Sequence, residues 1–367
     1  MPCSISWRTR CAPRNSTALS VDNEQDRRAA EGLRRAMASS SESAEDRLIA
    51  RYFRPLAKHP GAFGLTDDAA VIAPPPGCDV VLTTDGVIAG VHVFADDRPE
   101  YIGRKALRMN LSDLAAKGAA PIGFLLSLAL PAAIDEAWLA AFAGGLGEDA
   151  QRYGCALLGG DTDHTPGPLS VSIAAFGAVP HGKMVRRSTA KAGDAIVVTG
   201  SIGDAALGVL LRRDQSLAKR WRLSEAMSAH LKARYLLPEP RNALAHAVQH
   251  NASAAMDVSD GLAGDLAKLC RASGVAAEID VARVPLSDAV RAAIAADPAI
   301  METALSGGDD YEIVLTLAAD KLAAFRAAAQ RAGVAVTEIG RIATGEGARF
   351  LHDGKPLSFA QPSYSHF

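Results

Sequence analysis

The residue types in this 367-residue chain that could do chemistry are carboxylates, and the pattern lies in the aspartates. Asp67-Asp68, Asp85, Asp113, Asp161, Asp257 and Asp260 stand where apolar runs end or turns tighten, and Asp309-Asp310 follows two glycines. Any one of these is an ordinary turn former or helix cap. Together they read differently. Residues 80–84 carry an apolar strand into Asp85, residues 157–160 into Asp161 and residues 254–256 into Asp257. The carboxyl ends of strands line the ligand crevice of α/β sheets, so these acids are expected to converge, and converging carboxylates repel unless cations separate them. Mg²⁺ takes one or two carboxylates plus waters and phosphate oxygens, which suits scattered single aspartates better than an all-protein calcium cage. The pattern points to divalent cations and a phosphate-bearing substrate.

Around Asn110-Leu111-Ser112-Asp113-Leu114, Asn110 and Asp113 share one helix face while Leu107, Leu111 and Leu114 occupy another, so Asp113 can reach a metal from a buried helix. Asp257-Val258-Ser259-Asp260-Gly261-Leu262 follows a strand and opens a helix, where Ser259 or Asp260 can cap and free N–H groups can bind an anion. Residues 199–204 have the same outline and read as mostly structural. The phosphate-cradling GxxxxGK[ST] loop is absent, as are GxSxG and HExxH. The one match to GxGxx[GA], residues 145–150, falls inside an expected helix without a preceding strand, where a dinucleotide fingerprint does not work.

Over the whole chain, 39 Lys and Arg balance 41 Asp and Glu to a net charge of −2, too little positive field for a nucleic-acid partner. The longest apolar stretch, residues 124–130, stops at Pro131, far short of the ~18–20 residues that cross a bilayer, so no membrane partner is expected. Five widely spaced cysteines without a CxxC pair fit a reducing cytoplasm. Residues 1–40 lack a hydrophobic period and are expected to be a disordered extension, with Met37 as the true start of translation. Beyond them the periodicity predicts an α/β (α+β) protein of two domains, 41–180 and 181–367, divided at a basic, Gly-punctuated segment. Helices are expected at 44–57, 100–117, 135–153, 203–213, 224–236, 261–273, 287–296 and 320–332. Strands are expected at 70–73, 80–84, 122–130, 169–179, 195–199, 254–258, 276–280, 311–317 and 334–341.

Six segments carry a family resemblance: Leu65-Thr66-Asp67-Asp68-Ala69-Ala70; Thr83-Thr84-Asp85 with Gly90-Val91-His92-Val93-Phe94; the Asn110–Asp113 helix through Ala116; Gly159-Gly160-Asp161-Thr162; Asp257 to Leu262; and Ser306-Gly307-Gly308-Asp309-Asp310-Tyr311-Glu312. With them, residues 44–367 resemble the thiamine-monophosphate kinases, within the superfamily that includes aminoimidazole ribonucleotide synthetase. The resemblance implies a two-domain fold of that type, with an N-terminal ATP- and Mg²⁺-binding domain whose sheet pairs across a homodimer. It implies ATP as co-substrate and several Mg²⁺ ions. On the matching positions, Asp67, Thr83, Thr84, Asp85, Asp113, Asp161, Asp257 and Asp260 correspond to metal ligands. Gly160, Asp161, Arg187 and Ser259 correspond to ATP contacts, and His92 and Asp309 to contacts with thiamine monophosphate. The implied reaction is direct in-line transfer from ATP to thiamine monophosphate in the cytoplasm, with no covalent nucleophile or general base. Thr66 stands where the family usually has Gly, Gly86 where a larger residue is common, and Asp309 where Glu is usual. The family's C-terminal aromatic falls near Gln361, flanked by Phe359 and Tyr364. A related ATP-dependent synthetase or a non-catalytic thiamine-phosphate binder are the alternatives; the full aspartate set argues against a binder.

Overall fold

Helix-forming sequence begins with Ser43 and Asp46, which cap each other's backbone N–H groups. The expected helix over 44–57 is wound in three pieces, α1 (Ala44–Leu48), a π turn (Ile49–Phe53) and a 3₁₀ turn (Arg54–Leu56), because Pro55 cannot continue an α-helix. The computed structural model describes residues 43–361 and Ser363, and from Leu48 onward these form one compact unit bearing two sheets. The expected extension at 1–40, Met37, and the residue Tyr364 lie outside the described residues.

The first sheet contains β1 (Cys78–Ile88), β2 (Ala120–Pro131), β3 (Ala156–Thr165) and β4 (Ser170–Pro180) in the order β1-β4-β2-β3, antiparallel except for β2 with β3. Helices α2 (Pro99–Ala116) and α3 (Glu136–Arg152) pack on it, with Leu107, Leu111 and Leu114 of α2 and Phe142 of α3 meeting Phe124, Val171 and Ile173. The strand expected at 70–73 is not formed. Pro74, Pro75 and Pro76 follow it, and proline lacks the ladder N–H and biases the preceding residue toward extended but unpaired backbone. That segment instead lies on the Pro60–Leu65 turn, with the Val71 N–H donated to the Gly61 carbonyl at 2.9 Å.

The second half alternates β5 (Ala195–Thr199), α4 (Asp204–Arg213), α5 (Leu217–Arg220), α6 (Glu225–Leu236), α7 (Ala245–Asn251), β6 (Ala254–Val258), α8 (Leu262–Ser273), β7 (Ala276–Asp280), α9 (Asp288–Ala296), α10 (Ile300–Ser306), β8 (Glu312–Leu317), α11 (Leu322–Arg331), β9 (Val336–Ala343), β10 (Gly347–His352) and β11 (Lys355–Pro356). Its sheet runs β11-β10-β7-β9-β5-β8-β6. Strands β5, β6 and β8 are buried at every position, as continuous apolar runs covered on both faces require. One core lies against α8 through Leu262, Leu266 and Leu269, the other against α11 through Phe325 and Ala329. Helix α2 belongs to both halves. Its Ala115 and Ala116 pack with Val197, Ala255 and Leu315 of the second sheet, directly after Leu114, the last of the leucines that fill the first core.

Candidate active site

A cleft of about 910 Å³ is lined from both sheets, and Asp85, Asp113, Asp257 and Asp260 all face it. Asp85 lies inside β1, where the Asn110 side-chain carbonyl of α2 accepts its backbone N–H at 3.0 Å. Asn110 anchors itself by donating from Nδ2 to the Ala106 carbonyl at 3.0 Å. One turn further along, the Asp113 carboxylate accepts the Thr83 hydroxyl. Helix α2 therefore holds both β1 and its own acid toward the cleft.

Asp257 comes from β6 and Asp260 from the turn after it, a turn locked by glycine. Gly261 has φ +100°, and a Cβ there would come within 2.4 Å of the Ser306 backbone. A Cβ at Gly308 would lie 2.3 Å from the Ser259 carbonyl oxygen. The bare backbones thus meet, and the N–H groups of Asp309 and Tyr311 donate to the Ser259 and Val258 carbonyls at 2.8 and 2.9 Å. This lays Asp309 beside the 257–260 turn. The two neighbouring aspartates then separate: Asp309 faces the cleft, whereas Asp310 is buried and accepts the N–H groups of Gly203 and Ala205 at the start of α4. The 199–204 segment is structural, as its outline suggests, with the Thr199 hydroxyl donating to buried Glu312 at 2.6 Å.

Electrostatics mark the cleft as a place where buried carboxylates crowd one another. Burial, then the charges of Asp113 and Asp260, push the Asp85 carboxyl up to about 6. Burial and the charges of Asp113, Asp265 and Asp85 raise Asp257 well above the carboxylate range. Two lysines, neither singled out by the sequence motifs, also line the cleft: Lys117, which donates to the Ala255 carbonyl at 2.8 Å, and Lys268, which pairs with Asp260 and, at 2.8 Å, with Asp265. Among the described residues no three His, Cys, Asp or Glu side chains lie close enough to hold a metal ion by themselves. Hard oxygen donors in mutually repelling ones and twos fit a cation that completes its shell with water and phosphate oxygens, as Mg²⁺ does.

Of the other expected contacts, Arg187, Ser259, His92 and Asp309 line the same cleft. Thr83 joins it through Asp113, but Thr84 points to the other face of β1 and donates to the Ile173 carbonyl at 3.0 Å. Asp67 is exposed on a loop outside the cleft lining. Gly160 and Asp161 lie on β3, at the opposite edge of the first sheet from β1. Gly86, Ser172, Ser127 and Asp161 form one row across that sheet, so three strand spacings, roughly 14 Å, separate Asp161 from the Asp85 region. The expectation that Asp85 and Asp161 end their strands is corrected: β1 runs on to Ile88 and β3 to Thr165, because each strand's pairing continues past its acid. Gly160 has a packing reason of its own, since a Cβ there would lie 1.8 Å from the Leu126 carbonyl oxygen. Phe359 stacks edge-on against Phe350 in the second core, 5.2 Å between centroids, rather than in the cleft.

A further residue escaped the sequence reading. Lys105 of α2 is buried, and its ammonium donates to Asp309 at 2.9 Å and to the His92 carbonyl at 3.1 Å, 4.0 Å from the centre of the Tyr235 ring. Tyr235 donates to the same carbonyl at 3.1 Å and lines the cleft. The His92 ring accepts the Ile88 N–H at Nδ1, 3.1 Å away, which places a neutral ring's proton on Nε2.

Comparison with known proteins agrees along nearly all of the described chain. Residues 66–179 match the AIR synthase related protein, N-terminal domain, and residues 191–353 the corresponding C-terminal domain. The thiamine-monophosphate kinase of Caulobacter vibrioides is 42% identical over 322 residues, covering 87% of this chain and 89% of that one. The crystal structure of thiamine-monophosphate kinase from Stenotrophomonas maltophilia K279a is 39% identical with a TM-score of 0.75, covering 85% of this chain and 96% of its own. AaThiL complexed with AMPPCP and TMP is 27% identical with a TM-score of 0.70, covering 95% and 100%. With a relative this similar matched over most of both lengths, and with the family's acids from both sheets facing one cleft, the chain belongs to the thiamine-monophosphate kinase family.

Proposed function

We propose that the protein transfers the γ-phosphoryl group of ATP to thiamine monophosphate, giving thiamine diphosphate and ADP. The observation that carries this reading is the cleft itself, where Asp85 and Asp113 from one half of the fold face Asp257, Asp260 and Arg187 from the other. A relative of the same fold has been captured with AMPPCP and TMP. A phosphate monoester has its second pKa near ~6, so the attacking oxygen is largely ionised at neutral pH and needs no general base. The obstacle is repulsion between two anions, which positioning and charge neutralisation must overcome. Asp85, Asp113, Asp257 and Asp260 would hold Mg²⁺, which when bound supplies that neutralisation. Arg187 adds a planar, permanently charged clamp for the ATP phosphates. His92 and Asp309, braced by Lys105, form the wall assigned to thiamine monophosphate.

A homodimer belongs to this reading. Strand β1 is an edge of the first sheet, and Leu82 on it is 67% exposed, a combination that natural proteins usually cover. Asp161, on the other edge, is too far from Asp85 to share a cation with it inside one chain, and a second copy is the route by which it can serve a cleft. Among the described residues no helix is long and apolar enough to cross a membrane, and the cysteine usage favours the cytoplasm. A coupled assay of ADP release tests the activity. Thiamine monophosphate should support turnover, and thiamine, whose hydroxyl would need deprotonation, should not. Robust turnover with thiamine, or none with its monophosphate, would overturn the reading.

A further inference from the structure

The carboxylates facing one cleft repel each other, yet the fold already places positive groups among them, and one of these, Lys268, is bonded directly to a cleft aspartate. The Lys268 ammonium sits between Asp260 and Asp265, reaching Asp265 at 2.8 Å, and lines the cleft with Asp260. Asp265 is fully buried and is held from its other side, since it also accepts the Asp260 backbone N–H at 2.9 Å. Asp260 and Lys268 are each about a third exposed, at 33% and 29%, so this half of the triad opens to the cleft. Lys268 comes from α8, two turns after Asp260, and its four-carbon stem lets the ammonium leave without any movement of the backbone.

We propose that Lys268 is an exchangeable counter-cation, occupying the Asp260 carboxylate in the free protein and giving it up to the divalent ion that arrives with ATP. The proposal rests on the reading of Asp260 as a metal ligand. An ammonium bonded to a carboxylate competes with a metal for the same oxygens and repels the incoming charge at close range, so Lys268 weakens metal binding in the absence of nucleotide. Asp265 then keeps Lys268 nearby once Asp260 is released. The consequence is that the acidic cleft stays assembled without metal and fills its Asp260 site only when nucleotide phosphates add their own negative charge.

Mn²⁺ binding, followed by the electron paramagnetic resonance signal of the free ion, tests this on the full-length protein without turnover. Lys268→Gln, which keeps an N–H donor but no charge, should bind Mn²⁺ about tenfold or more tightly than the wild type without nucleotide. Lys268→Arg should bind as the wild type does, and Asp260→Asn added to Lys268→Gln should remove the gain. Identical Mn²⁺ curves for the wild type and Lys268→Gln, with Asp260→Asn still weakening binding in the presence of AMPPCP, would overturn the proposal alone. If Asp260→Asn changes binding in neither background, with or without AMPPCP, the assignment of Asp260 fails and the proposal with it. Should Lys268→Gln not fold, ¹⁵N spectra of the wild type decide the question: the ion-paired Lys268 ammonium resonance must shift when Mg²⁺ and AMPPCP are added together, and an unmoved resonance refutes displacement.

Discussion

Asp85 and Asp113 reach the cleft from a strand and a helix that hold one another, so exchanging either carboxylate for its isosteric amide removes charge while leaving shape. Asp85→Asn and Asp113→Asn should melt close to the wild type yet lose about a hundredfold or more in kcat at saturating Mg²⁺, and near wild-type kcat in either would refute their assignment. Asp97 offers a test of residue electrostatics away from the cleft acids. Its carboxylate accepts the Phe94 N–H at 2.9 Å and an Arg212 N–H at 2.7 Å, but burial outweighs both and raises its pKa. The folded chain therefore holds that proton more tightly than the unfolded one. The resulting stability is fully present below the unfolded value of about 4 and is lost as pH rises through the folded value. Urea midpoints of Asp97→Asn measured across this range should lack that decline, and a slope equal to the wild type's would show that Asp97 does not contribute it. The site acids were legible in the sequence because each ends or interrupts a short local pattern. Lys105 was not: its partner Asp309 lies 204 positions away, and a lysine inside an apolar helix face carries no mark of what it will meet.

At the scale of elements, most helices and strands followed from periodicity because a buried face repeats at a fixed interval. The failures have local causes. Three prolines cancelled the strand expected at 70–73, and the polar residues Asp161 to Thr165 concealed the second half of β3, which is held by pairing with β2 rather than by apolar content. The turns at 257–261 and 306–311 were visible as motifs, but not their contact, which depends on missing side chains. Gly308→Ala would place a methyl group against the Ser259 carbonyl and should cost about 1–3 kcal/mol in urea unfolding, while moving Asp309 and raising KM for thiamine monophosphate. Wild-type stability and KM would show that the two turns can part without consequence.

At the scale of the molecule, the position of Asp161 makes the quaternary claim testable without measuring mass. Asp85→Asn and Asp161→Asn chains, each inactive alone, should recover about a quarter of wild-type activity after mixed refolding if Asp161 serves the partner's cleft, since half the dimers are mixed and each then has one intact site. No recovery would place both residues in one chain's site. Helix α2 has a different consequence. Because its middle is embedded in one core and its last turn in the other, drawing the two sheets apart would strip apolar surface from one end of a single rigid rod. The cleft is in this respect less like a jaw than like a slot cut into a solid block. Nucleotide and acceptor must then enter a cleft that is already formed, and the energy that a hinged enzyme would put into closing remains available for holding two repelling phosphates in line.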